Sequence, residues 1–198
     1  MQPFFLFILR EAAMIKKENG MISRVKSLIR EIKDFPKPGI GFKDITPVIQ
    51  DPESFDYVID KMVSWGKGKN PEVVVGIESR GFLFAAPVAN KMGLSLVLIR
   101  KKGKLPGKTV CVRAPNEYAV EHFEMHEDSI LPNQNVLIID DLIATGSSTV
   151  SAIDLVKKLG GEVVGIVTLV ELSFLNGMEF IKKSHPDVDV LSLIRFEE

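Results

Sequence analysis

Apolar residues along this chain alternate between helical spacing and short continuous runs. Ile22, Val25, Leu28, Ile29 and Ile32 recur at three- and four-residue steps, with Arg24, Lys26, Arg30 and Lys33 mostly on the opposite side. That period predicts an amphipathic helix. The stretch FPKPGIGFKDITP, residues 35–47, holds three prolines and two glycines and is expected as an ordered loop. Asp51-Pro52-Glu53 opens a second helix, with Asp51 as N-cap and Pro52 in the first turn. Phe55, Val58, Ile59, Met62 and Val63 form its buried stripe, and residues 67–71 a turn. EVVVGI (72–77) is a β-branched run of the kind found in strands covered on both faces. Residues 81–93 read as a helix ending at Gly93 and kinked at Pro87, and 95–100 as a strand. The basic loop 101–109 follows; 110–126 is ambiguous, an extended hairpin being one reading. Further strands are expected at 135–141, 162–172 and 188–196, with a helix at 148–159. Strands alternating with helices predict an α/β fold, a mostly parallel central sheet flanked by helices.

Length and composition narrow the class. With 198 residues and 22.0 kDa, the chain suits one domain able to bury a core without staples. Basic and acidic residues number 25 and 26, a net charge of -1 that argues against a nucleic-acid partner held by phosphate contacts. The single cysteine, Cys111, excludes an internal disulfide and a multi-cysteine metal site, and a reducing, cytoplasmic setting follows. His122, His126 and His185 lack ligand spacing, so packing or surface roles are expected for them. Phe4 to Leu9 is apolar but far too short to span a membrane, which takes about 20 residues. No basic residue precedes it and no small-residue cleavage site follows. Residues 1–21 are therefore expected as a mobile N-terminal extension, and 22–198 as a single domain with no membrane partner.

The most informative segment is VLIIDDLIATGSST, residues 136–149. A hydrophobic strand runs into two carboxylates, then a small glycine-containing loop, then a helix start. Ligands of open α/β sheets sit beyond the carboxyl ends of strands. Ala144, Thr145, Gly146, Ser147 and Ser148 can turn successive N–H groups and three hydroxyls into one concavity, where the helix dipole favours an anion. Asp140 and Asp141 would repel a bare phosphate but suit ribose hydroxyls, or a sugar carrying Mg²⁺, beside it. A phosphate cradle next to an acid pair reads as a phosphoribosyl site.

This segment resembles the phosphoribosyl-pyrophosphate (PRPP) signature of the type I phosphoribosyltransferases. FPKPGIGFKDITP, GIESRGFLFAAPVA, LIRKKGKLPG and the Asn116-Glu117-Tyr118 region resemble the adenine-specific members of that family in the same order, so the likeness covers about residues 22–196. The resemblance implies the type I phosphoribosyltransferase fold with a mobile hood loop (103–118), and the reaction adenine + PRPP ⇌ AMP + pyrophosphate. It implies Mg²⁺ as cofactor, carried mainly by PRPP with no certain protein ligands, and a homodimer. It assigns the 5′-phosphate and ribose to Asp140, Asp141 and 144–148. Pyrophosphate falls to Ser79, Arg80, Arg100, Lys101, Lys104 and Tyr118. Glu117 would manage the purine N7 proton, with Arg80 the second catalytic group. Adenine would meet Ile40, Gly41, Phe42, Lys43 and Leu142.

The chain departs from the family pattern at three points. Gly146-Ser147-Ser148 stands where Gly-Gly-Thr is usual after Ala-Thr. Gly41 replaces a larger apolar residue, and Lys43 stands where Arg is common. Rival readings are a P-loop hydrolase, a PRPP-sensing DNA-binding regulator and the same enzyme class with another base. Gly103 to Thr109 falls one residue short of the P-loop spacing. The regulator lacks room for a DNA-binding module. The 35–47 segment speaks for adenine over xanthine or orotate.

Overall fold

The structure, a computed structural model, describes residues 18–35, 37–39, 41–115 and 121–198. They fall into two compact units, one ending at Val58 and the other spanning Ile59–Glu198.

In the first unit, residues 18–28 form helix α1, which buries Val25. The helix stops earlier than its apolar period suggests. Arg30–Ile32 is instead a short strand, β1, paired antiparallel with β2, Phe42–Asp44. Ile32 is accordingly exposed rather than part of a helical stripe. What continues the apolar spacing here is one residue on the edge of a two-stranded ribbon, where tertiary pairing overrides periodicity. The segment expected as loop thus contains β2, and helix α2 (Thr46–Gln50) begins at its end. Asp44 organises the turn between them. Its Oδ1 accepts from the Thr46 N–H at 2.9 Å and from the Thr46 hydroxyl, and Oδ2 accepts from Arg30 Nη2 at 2.6 Å. Helix α3 (Pro52–Lys67) starts as expected: Asp51 Oδ1 accepts from the Ser54 N–H at 2.8 Å, capping the first turn.

The second unit is built on a seven-stranded sheet in the order β5-β6-β4-β3-β7-β8-β9. Its central strands are β3 (Val73–Ile77), β4 (Ser95–Lys101), β7 (Asn135–Ile143), β8 (Glu162–Leu172) and β9 (Val190–Phe196), all parallel. The ambiguous 110–126 stretch carries an antiparallel pair, β5 (Thr109–Arg113) and β6 (His122–His126), joined to the edge of β4. Helices α4 (Gly81–Met92) and α5 (Ser147–Lys158) supply crossovers, and Gly93 ends α4 in the left-handed region. A 3₁₀ turn (Ser173–Leu175) and helix α6 (Gly177–Ser184) connect β8 to β9, in a stretch where sequence patterning predicts no element.

Period-two alternation sorts the sheet's side chains. Val73, Val75, Ile77, Val136 and Ile138 join a buried cluster with Val150, Ile153 and Val156 of α5. On the opposite face, a Cβ at Gly76 would meet Ala85 and Phe82 of α4, and one at Gly66 of α3 would meet Leu137. Coverage of both faces explains why β3 and β7 are continuously apolar. Among the described residues, no helix is long and apolar enough to cross a membrane.

Hydrogen bonds from the Thr46 hydroxyl and N–H, with the Arg30 guanidinium, hold the Asp44 carboxyl below its ordinary range against the opposing effect of burial. A depressed carboxyl stabilises the fold above its unfolded value, and the contribution disappears as pH falls through the folded one. Asp44→Asn is expected to lower unfolding free energy at neutral pH by about 1–3 kcal/mol. Urea unfolding should show that gap closing as pH drops below about 4.

Candidate functional site

The parallel order reverses direction at β3. The chain moves from β3 to β4 on one side, and β7 lies on the other. At such a switch point the connecting loops diverge and leave a crevice beyond the carboxyl ends of the strands. A cavity of about 500 Å³ lies there, lined by Glu78–Arg80 after β3, by Lys101 and Lys104, and by residues 140–149. The structure therefore brings together Ser79, Arg80, Lys101, Lys104, Asp140, Asp141, Leu142, Ala144, Thr145, Gly146, Ser147 and Ser148. Glu117, Tyr118 and Ile40 lie outside the described residues. Gly41, Phe42 and Lys43 belong to the first unit, where Lys43 Nζ is 3.2 Å from Glu31 Oε2 and the rings of Phe42 and Phe35 meet edge to face at 5.2 Å.

Strand β7 runs to Ile143, two residues beyond the expected end at 141, and Asp140 and Asp141 within it are almost fully buried. Asp140 Oδ1 accepts the Asp141 N–H at 2.9 Å, and Arg80 Nε lies 2.9 Å from Asp141 Oδ2. Burial, and then the neighbouring Asp141 carboxylate, push Asp140 well above the usual carboxyl range. Burial likewise raises Asp141, opposed chiefly by Arg80. The pair thus resists carrying two charges with one guanidinium beside it. Asp141 Oδ2 is ion-paired with Arg80 and accepts no hydrogen bond of good geometry among the described residues, so a lone pair remains for a donor such as a sugar hydroxyl. Among the described residues, no three His, Cys, Asp or Glu side chains cluster as a metal site.

Residues 144–149 turn from β7 into α5. Gly146 is the N-cap, at φ 81°, and no side chain caps the helix. The first N–H groups of α5 have no partner within the helix and carry its positive dipole end, beside the hydroxyls of Thr145, Ser147 and Ser148. Ser147, which departs from the family pattern, directs its hydroxyl to the Pro115 carbonyl at 3.0 Å and stands 3.3 Å from the Thr145 hydroxyl. Its side chain therefore ties the loop to the segment that follows β5.

The cationic wall depends on two glutamates: Glu78, which the resemblance places in the pyrophosphate loop without a contact of its own, and Glu124, for which the sequence offered no role. Glu78 Oε2 accepts the Lys101 N–H at 3.0 Å and lies 3.3 Å from Arg100 Nε; Glu78 Oε1 pairs with Lys104 Nζ. Burial raises the Glu78 carboxyl, but Lys104, the Lys101 N–H and Arg100 outweigh it and hold the group low. Arg100 does not line the cavity; it donates to the Lys104 carbonyl at 2.9 Å and braces the loop. Glu124, buried in β6, accepts from the Gly103, Lys104 and Leu105 N–H groups at 2.9–3.0 Å through one oxygen and from Thr109 at 3.2 Å through the other. An acid amid the alternating residues of HFEMH gives no sign of burial in the sequence, because the partners that permit it come from a loop about 20 residues away.

A family model described as the phosphoribosyl transferase domain matches residues 52–197. The adenine phosphoribosyltransferase of Caldicellulosiruptor bescii is 53% identical over 173 residues, which is 87% of this chain and 97% of that protein. The crystal structure of adenine phosphoribosyltransferase from Thermoanaerobacter pseudethanolicus superposes with a TM-score of 0.83 at 43% identity, covering 88% of this chain and 99% of that one. The Saccharomyces cerevisiae enzyme, complexed with an imino-altritol bisphosphate and adenine, gives 0.81 at 32% identity, covering 89% and 99%.

Arg80 stabilises the ionised form of Asp141, so its loss should raise that carboxyl further. In carboxyl-carbon NMR titrations, Arg80→Met is expected to move the Asp141 transition to higher pH; an unmoved or lower transition would contradict the pairing.

Proposed function

This chain belongs to the phosphoribosyltransferase family, in its adenine phosphoribosyltransferase branch, and we propose that it transfers the phosphoribosyl group of PRPP to adenine, giving AMP and pyrophosphate in purine salvage. The observation that carries this reading is the cavity itself. A helix start that no side chain caps among the described residues and a buried acid pair share one wall, and Lys101, Lys104 and Arg80 lie across the switch point from it. PRPP presents a matching sequence of groups: a monophosphate, two ribose hydroxyls and a diphosphate.

In this reading the 5′-phosphate accepts hydrogen bonds from the N–H groups and hydroxyls of 144–148. The ribose hydroxyls donate to Asp140 and Asp141, filling the open acceptor of Asp141 Oδ2. Lys101, Lys104, Arg80 and the Ser79 region meet the diphosphate, with Tyr118 beside it. Mg²⁺ arrives on PRPP as part of the substrate and offsets the leaving group's charge. The bond between C1 and the diphosphate oxygen breaks with its electron pair leaving on pyrophosphate, which puts positive charge on the ribose ring. The lone pair of adenine N9 forms the new bond to C1, and the N7 proton passes to the Glu117 carboxylate. Cations fixed around the diphosphate stabilise the departing charge without reorganising during the reaction. Glu78 holds Lys104 at the cavity wall, with Arg100 bracing the loop behind it, so an incoming diphosphate meets an ammonium already positioned.

For the base, backbone groups of residues 40–43 are proposed to read the exocyclic amine, with Leu142 against the ring. A hood over residues 103–118 would exclude the water that hydrolyses an activated sugar. Within it, Glu124 holds the N–H groups of Gly103, Lys104 and Leu105, and residues 109–113 are strand β5. A cytoplasmic homodimer completes the proposal, supported by the family resemblance.

The test is turnover by variants that keep their fold. Asp140→Asn/Asp141→Asn is expected to abolish PRPP-dependent AMP formation while the circular-dichroism spectrum stays that of the wild type; full activity would remove the central assignment. Glu117→Gln should lower kcat by about 10²–10⁴ with little change in the KM for PRPP. An equal loss in both parameters would deny Glu117 the proton-transfer role.

A further inference from the structure

Helix α6 contributes no lining residue to the cavity, yet its first residue touches the loop that does. A Cβ placed on Gly177 would collide with the Ala144 carbonyl oxygen and lie 2.9 Å from both the Gly146 N and Ile143 Cγ2. The relation is mutual: a Cβ on Gly146 would lie 2.7 Å from the Gly177 carbonyl oxygen and 3.1 Å from Ile181 Cγ1. Two glycine backbones are thus in direct contact where the chain leaves β7 for α5, and neither position has room for a side chain. Ile181, one turn along α6, is fully buried and fixes the helix from below.

We propose that Gly177 is a positioning residue for phosphate binding, its backbone a rear brace that holds the loop 144–148 with its N–H groups turned into the cavity. The inference rests on reading that loop as the 5′-phosphate site. Its physical basis is the sensitivity of an anion cradle to small movements. Backbone N–H groups bind an oxyanion well only when several converge, and a side chain on Gly177 would push against the Ala144 carbonyl, between the acid pair and the helix start. Two of the three atoms it meets, the Ala144 carbonyl oxygen it would strike hardest among them, are backbone, so no rotamer change relieves the contact. The diphosphate wall is built from other segments, 78–80 and 101–104, and does not touch α6 in this way. The brace therefore acts on one end of the substrate only.

Calorimetry on the full chain separates the two ends, with ribose 5-phosphate as the probe for the loop and magnesium pyrophosphate as the probe for the cationic wall. Gly177→Ala is expected to weaken ribose 5-phosphate by roughly tenfold or more, since sub-ångström to ångström displacement of a binding group has effects of this order, while pyrophosphate changes by less than about twofold. In steady-state assays, KM for PRPP should rise with KM for adenine unchanged. Ile181→Val removes one methyl group beneath Gly146 without adding a clash, and should shift ribose 5-phosphate in the same direction by a smaller factor. It provides the readout if the alanine variant does not fold. Unchanged ribose 5-phosphate binding in the folded variants would overturn the brace while leaving the loop's role intact. Equal weakening of both probes would also overturn it, since that marks a general loss of structure. Failure of the wild-type chain to bind ribose 5-phosphate would overturn the reading of the loop, and the brace with it.

Discussion

Two adjacent carboxylates at the end of a buried strand must coexist with almost no water. Asp140 and Asp141 do so because Arg80 stands against one of them and the Asp141 N–H bonds to the other. That arrangement leaves a charge pair incompletely compensated and an oxygen with an open lone pair, next to a helix start that no side chain caps among the described residues. A lone anion would suffer from the acids, and a lone cation from the helix dipole. A ligand with a phosphate at one end and hydroxyl donors in the middle satisfies both. Much of the remaining site is a consequence: α4 must begin close to β7 for Arg80 to reach, and the two strands must end together at the switch point.

The cationic side follows the same logic of groups held before the ligand arrives. Lysines on a free loop lose rotamer entropy when they bind, which weakens what they contribute. Here Glu124 gathers three successive N–H groups and fixes the loop's path, while Glu78 and the Lys104 carbonyl hold Arg100. The loop thereby behaves as part of the scaffold, although it lies on the surface and carries several like charges. Ser147, hydrogen-bonded to the Pro115 carbonyl, connects that scaffold to the loop at 144–148.

What the sequence disclosed depends on whether a feature leaves a pattern. Strands covered on both faces leave apolar runs, and β3, β7 and β8 were legible for that reason. Asp51 as an N-cap and Gly93 as a helix stop were legible through local chemistry. The cavity wall formed by 140–149 was readable because one short stretch contains both the acid pair and the loop. The β1–β2 ribbon was hidden because Ile32 continues a helical period while being exposed in a strand. The end of β7 was placed short because two aspartates resemble a strand terminus when their partners are unseen. Glu124 and Gly177 left no local signal at all: one is defined by N–H groups from a distant loop, the other by the space it does not fill.

In the proposed reaction this cavity transfers a phosphoribosyl group to adenine in preference to other bases. The direct measurement is incorporation of labelled base into nucleotide with PRPP and Mg²⁺, with adenine, hypoxanthine, guanine, xanthine and orotate run in parallel. The account predicts PRPP-dependent AMP formation that hypoxanthine and guanine do not match. Turnover of another base in preference to adenine, or PRPP binding with no turnover of any base, would contradict it.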